Sequence, residues 1–159
     1  DMGPGELFVV RNVANLAPPY SPNDDFHGTS AALEFAVMGL RVEHIVVLGH
    51  AQCGGVRAYA ENEADPYTRP LSPGDFIGSW MRLIAPAAER LGRAPEATAD
   101  YAEALARESV RQSLANLRTF PCIQILEGKG RIALHGAYFD LSAGTLSVLN
   151  QATGQFVSL

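Results

Sequence analysis

Long apolar runs are missing from this chain. The longest, such as Ile45–Leu48, are only strand-sized, whereas a membrane-spanning helix needs about 20 residues. Charge is also scarce, at 18% of residues, and 12 basic against 17 acidic side chains leave a net charge of −5. That mild acidity gives no basic footprint for nucleic acid and no polybasic face for a membrane surface. Cysteine is limited to Cys53 and Cys122. Two thiols do not make a disulfide framework, and the pattern fits a reducing, cytoplasmic setting. There is no internal repeat, no low-complexity tract and no visible signal peptide. The opening Asp1-Met2-Gly3-Pro4-Gly5 reads as a turn leading into a strand, and the expectation is that something precedes it in the full gene product.

Enough apolar material remains for a core, because 47% of the 159 residues are hydrophobic. That length predicts one domain, spanning 1–159. Leu7–Val10 is β-branched and apolar and predicts a buried strand. The Pro-rich stretch Asn15–His27 predicts a loop. Thr29 or Ser30 is positioned to cap a helix carrying Leu33, Ala36, Val37 and Leu40 at helical spacing. Ile45–Leu48 predicts a strand buried on both faces, because its apolarity is continuous rather than alternating. Gly54-Gly55 opens a short helix to about Asn62. Asp65–Asp75 predicts a loop, Asp75 the cap of a helix to about Ile84, and 92–98 a polar, broken stretch. Tyr101–Arg118 predicts a long helix ended by Pro121. Cys122–Leu126, Ile132–Leu141 and Thr145–Leu149 predict strands, the last two joined as a hairpin through Ser142-Ala143-Gly144. Strands alternating with helices predict an α/β fold: a mainly parallel central sheet flanked by helices, with antiparallel strands at the C-terminal end.

Sites in such sheets gather beyond the carboxyl ends of the parallel strands, which points to Gly49-His50-Ala51-Gln52-Cys53-Gly54-Gly55. His50 and Cys53 lie three apart, and imidazole plus thiolate is a donor pair that suits Zn²⁺. The helix start after Cys53 offers free backbone N–H groups that favour an anionic ligand. H-x-x-C alone is a common spacing, and only the strand–turn–helix context lifts it above coincidence. A phosphate loop is the rival, but Gly55 and Val56 stand where a Lys and a Ser or Thr are needed. Asp24, Asp25 and His27 read as loop surface, His44 and His135 as structural residues at strand edges, and Cys122 as a small core residue.

The stretch Gly49–Val56 resembles the second zinc motif of the β-class carbonic anhydrases. Leu7–Asn15 is similar to that family's strand and R-N-x-A-N turn, Ser30–Val37 to its next helix, Ser113–Pro121 to its later helix end, and His135–Asp140 to its late strand. The motifs run in family order from about residue 4 to 149.

The resemblance implies reversible hydration of carbon dioxide to bicarbonate and a proton, with Zn²⁺ held by one His and two Cys. Zinc would lower the pKa of water from about 16 toward about 7, so that hydroxide attacks CO₂ near neutral pH. His50 and Cys53 match two of the ligands. The other Cys belongs to a C-x-D-S-R motif on the family's first strand, whose Asp–Arg pair assists catalysis. The expectation is that this strand and the N-terminal arm lie ahead of Asp1, and that a protein truly starting at Asp1 binds zinc weakly and is inactive. The resemblance further implies a substrate pocket including Phe8, Val13, Phe35 and Gly54, a homodimer or higher oligomer, and in some members a regulatory bicarbonate site matching Arg11 and Tyr138. By periodicity alone Phe8, Val13 and Phe35 are ordinary core, and Arg11 is a salt-bridge partner. Two rival functions are a carbon disulfide or carbonyl sulfide hydrolase with the same zinc site and a metal-free scaffold.

Overall fold

A computed structural model describes residues 3–65, 67–92 and 97–159. Its first regular helix, α1 (Gly28–Glu34), widens into a π-type turn over Phe35–Leu40 and stops at Arg41, which adopts a left-handed φ of 60°. Strand β1 (His44–His50) follows, then α2 (Gly54–Ala64), α3 (Phe76–Met81), α4 (Ala85–Leu91), α5 (Ala99–Leu117) and α6 (Pro121–Gly128). The chain closes with β2 (Ala133–Asp140), β3 (Thr145–Asn150) and β4 (Gln155–Ser158). Strand order is β1-β2-β3-β4. β1 and β2 are parallel, with His44 opposite Ala133 and His50 opposite Phe139. β2–β3 and β3–β4 are antiparallel. The α/β class, the flanking helices and the antiparallel C-terminal end are as expected.

Helix α5 organises the core. Thr98 caps it through its hydroxyl, which accepts from the Tyr101 N–H. Leu105, Val110, Leu114 and Leu117 recur at helical spacing and are almost fully buried, each stabilising by about 1.5–3 kcal/mol relative to exposure. The strands meet α5 through glycines. A Cβ on Gly49 would sit 2.7 Å from Val110 Cγ2, and one on Gly136 3.0 Å from Val110 Cγ1. These two bare positions let the sheet approach the helix.

Several expectations are corrected. Cys122–Leu126 is not a strand but the body of α6. Pro121 sits in its first turn, where the missing N–H costs nothing, and Ile123 packs into the core with no exposure. Leu7–Val10 is exposed and joins no sheet among the described residues, because β-propensity supplies no ladder partner. β1 is covered on one face only: Val47 is buried, while Val46 and Leu48 are 58% and 51% exposed. Neither α4 nor β4 is expected from the sequence pattern. Of the loop expected at 65–75, residue 66 lies outside the described residues, as do 93–96 of the broken stretch.

Candidate functional site

The backbone that positions the site begins where β1 ends. Ala51 continues the parallel ladder by donating its N–H to the Phe139 carbonyl at 2.8 Å. Gln52 then turns the chain in a left-handed conformation (φ 55°). Its side-chain amide donates to Ser142 Oγ at 3.0 Å, tying the turn to the β2–β3 connection. Cys53 is extended and immediately precedes α2.

The geometry of His50 fixes its chemistry. Its Nδ1 lies 2.9 Å from the Ala51 carbonyl oxygen. A carbonyl can only accept, so in the neutral ring Nδ1 carries the proton and Nε2 keeps its lone pair. This is the ring state a metal ligand needs, with orientation set by the backbone. Cys53 is 7% exposed and packs with Ala14, Ala51 and Val56. Both cysteines are free thiols. Cys122 is on α6, half-buried against the core around Val110, Leu114 and Ile123.

The turn Val13–Asn15 supports the motif from the other side. Ala14 and Asn15 both hold left-handed φ values of 61° and 48°, a strain two non-glycine residues keep only where the surroundings impose it. Gly55 is what makes room: a Cβ there would meet Val13 Cγ1 at 3.0 Å and Ala14 Cβ at 3.3 Å. The Trp80 indole N–H donates to the Val13 carbonyl at 2.9 Å, and the Ser113 hydroxyl donates to the Asn15 carbonyl. Sequence reasoning did not find Trp80 or Ser113. Trp80 is the chain's only tryptophan, and buried indoles usually seek an acceptor, but nothing local announced Val13 as its partner.

Among the expected pocket residues, the structure pairs Phe8 with Phe35, their ring centroids 5.9 Å apart, and places Val13 against Gly55. A Cβ on Gly54 would meet nothing within 4 Å, so the space above it is open. A cleft of about 770 Å³ lies beside Val13, walled by Phe26, His27, Phe76, Trp80 and Leu83. Arg11 is exposed. Tyr138 is buried beneath the Arg107 guanidinium, 4.4 Å from its ring centroid, and no hydrogen bond or ring contact among the described residues joins it to Arg11. Burial, and then the neighbouring Glu103 carboxylate, push the Tyr138 hydroxyl above the usual phenol range.

Imidazole and thiolate suit zinc in kind but not in number. Among the described residues no group of three or more His, Cys, Asp or Glu side chains converges to hold a metal. Two donors fall short of the three protein ligands of a catalytic zinc site and the four of a structural one.

Residues 1–146 match the model of a family described as carbonic anhydrase. The chain is 39% identical over 158 residues to a carbonic anhydrase of Pseudomonas aeruginosa, covering 98% of this chain and 68% of that protein. It also superposes on solved structures. One is the β-carbonic anhydrase CcaA (TM-score 0.79, 25% identity, 99% of this chain and 69% of that one). Another is described as one of two tetrameric β-carbonic anhydrases from Sordaria macrospora (TM-score 0.73, 27% identity, 94% and 71%).

Proposed function

The chain belongs to the β-class carbonic anhydrases, and from that premise we propose that it serves the zinc-dependent, reversible hydration of carbon dioxide to bicarbonate and a proton. The observation that carries the proposal is His50, whose Nδ1–H is committed to the Ala51 carbonyl so that Nε2 is free, three residues before the buried thiol of Cys53. When bound, zinc supplies the Lewis acidity that makes water a competent nucleophile near neutral pH. His50 and Cys53 provide two of its ligands, and at least one more donor comes from outside the described residues or from a second subunit.

The remaining residues serve a small uncharged substrate. Val13, Phe8 and Phe35 provide apolar surface that competes poorly for water, and the bare Gly54 leaves room above the start of α2. Names of relatives that specify carbonic anhydrase favour carbon dioxide over the sulfur analogues. Half-exposed Phe8, Val46 and Leu48 support a homo-oligomer, in line with the tetrameric Sordaria proteins. No described helix is long and apolar enough to cross a membrane, and the free thiols support a cytoplasmic setting. A regulatory bicarbonate site using Arg11 and Tyr138 would require Tyr138 to leave its cover, and it is not part of this proposal.

Zinc titration against a chromophoric chelator, paired with a CO₂ hydration assay, tests the reading. Cys53→Ser lowers zinc affinity by at least about tenfold, since even outer partners of metal ligands are worth about 10–100-fold. Cys122→Ser leaves affinity unchanged. For the 159-residue chain alone the expected result is weak zinc and negligible turnover. Equal zinc affinity in the two variants would remove the motif from the site.

A further inference from the structure

Two histidines outside the motif meet on the sheet face turned away from α5. The parallel register sets His135 opposite Val46, two residues along from His44. The two imidazoles therefore lean toward each other diagonally across the strand pair. Nδ1 of His44 and Nε2 of His135 are 3.1 Å apart. The ring centroids are separated by 5.2 Å and the planes are tilted by 50°. In the single chain His44 is exposed and His135 half-buried.

We propose that His44 and His135 form a weak two-imidazole chelate for a divalent transition-metal ion, with water filling its other positions, separate from the His50–Cys53 motif. The argument is one of bite. A metal–imidazole bond is about 2.0–2.1 Å, so two such bonds place their nitrogens about 2.9 Å apart at a right angle and about 3.4 Å apart at the tetrahedral angle. The observed separation falls between these limits. Both ligands stand on hydrogen-bonded neighbouring strands, which holds them in place better than a loop would. Without an ion, an N–H···N hydrogen bond holds the two nitrogens at this separation, and binding turns each ring so that its lone pair points at the ion instead of at its neighbour. On binding, the donor imidazole changes tautomer, its proton passing through solvent to its far ring nitrogen. Both facing nitrogens then give lone pairs to the ion, with no net proton released from a neutral pair.

Selectivity follows from the surroundings. Arg41, Glu43 and Arg131 line the shallow pocket beside His44. Two cations against one carboxylate weaken the binding of any divalent ion, and the imidazole donors favour borderline ions such as Ni²⁺ and Cu²⁺ over Ca²⁺, which needs anionic oxygen. His50 lies six residues further along β1, about 20 Å away at the usual strand rise, so the two sites bind independently.

The probe is Ni²⁺, titrated calorimetrically into Cys53→Ser protein so that the motif's thiolate is absent. The expected result is one site whose affinity falls at least about tenfold on adding His44→Ala or His135→Ala, by comparison with the effect of outer partners alone. Unchanged affinity in both would overturn the proposal. A second readout needs no substitution at the pair. Substoichiometric Ni²⁺ should broaden the ring NMR resonances of His44 and His135 together, ahead of His27. If either ring stays sharp while other histidines broaden, the chelate does not exist.

Discussion

The two faces of the sheet make a sharp contrast. Toward α5, Val47, Leu134 and Tyr138 are buried, and Gly49 and Gly136 admit the helix to van der Waals contact. Toward the other side, Val46 and Leu48 stand half-exposed on the same strand, and among the described residues β1 pairs with β2 alone. The packed face accounts for why the chain folds. The open face carries Val46 and Leu48, the apolar surface that the proposed assembly would use. The two faces therefore predict different costs for the same kind of substitution.

The largest expected effect is on the packed side. Leu114→Ala removes a nearly fully buried side chain and should cost about 2–5 kcal/mol. Leu48→Ala, half-exposed, should cost about 1 kcal/mol or less. Urea denaturation at two protein concentrations measures both. If Leu48→Ala costs as much as Leu114→Ala, and the cost grows with protein concentration, the open face is covered by a second copy in solution and the contrast belongs to the single chain only.

A smaller effect separates two glycines flanking the motif. Gly49→Ala places a methyl 2.7 Å from Val110 Cγ2, and overpacking of that kind costs about 1–3 kcal/mol. Adding Val110→Ala should recover part of the loss, a coupling readable from a double-mutant cycle. Gly54→Ala meets open space and should leave stability unchanged or raise it by up to about 1 kcal/mol. If Gly54→Ala lowers CO₂ hydration at unchanged zinc affinity in an active assembly, the space above it is substrate space. If turnover is also unchanged, Gly54 leaves the proposed pocket.

How much of this was legible depends on where the deciding partner lies. β1 and α5 were plain from pattern, and so was the strand–turn–helix setting of His50 and Cys53. The continuous apolarity of Ile45–Leu48 asked for cover on both faces, and the described residues supply it on one. Leu7–Val10 has strand composition but no strand beside it, and composition cannot provide a ladder. Cys122–Leu126 failed for a different reason. A short apolar run has no decisive period, and Pro121, read as the end of one segment, is in fact the start of α6. β4 follows a turn closed by Gly154 at φ 71°, and its Gln-Phe-Val-Ser is too short and mixed to declare itself. At the site, the left-handed Ala14–Asn15 turn and its anchors Trp80 and Ser113 depend on contacts across long sequence separations, which no local motif encodes.

The smallest effect tests a polar flaw in the packed face. The Tyr138 hydroxyl is buried without a hydrogen-bond partner of normal geometry, although Glu103 and Arg107 stand beside it. Tyr138→Phe keeps the ring under Arg107 and removes only the orphaned group, so near pH 7 it should change stability by no more than about 1 kcal/mol in either direction. The difference should appear in alkali. Burial first, and Glu103 second, raise this hydroxyl above its ordinary value of 10.0. Above that pH the unfolded chain gives up the tyrosine proton while the folded chain keeps it. The unfolded state then binds fewer protons, and stability falls as pH rises. Phe at this position should flatten that decline relative to the parent, as measured by urea midpoints from pH 8 to 11. A loss well above 1 kcal/mol at pH 7 would instead mean that the hydroxyl is bonded in solution to Glu103, and that the packed face has no flaw at all.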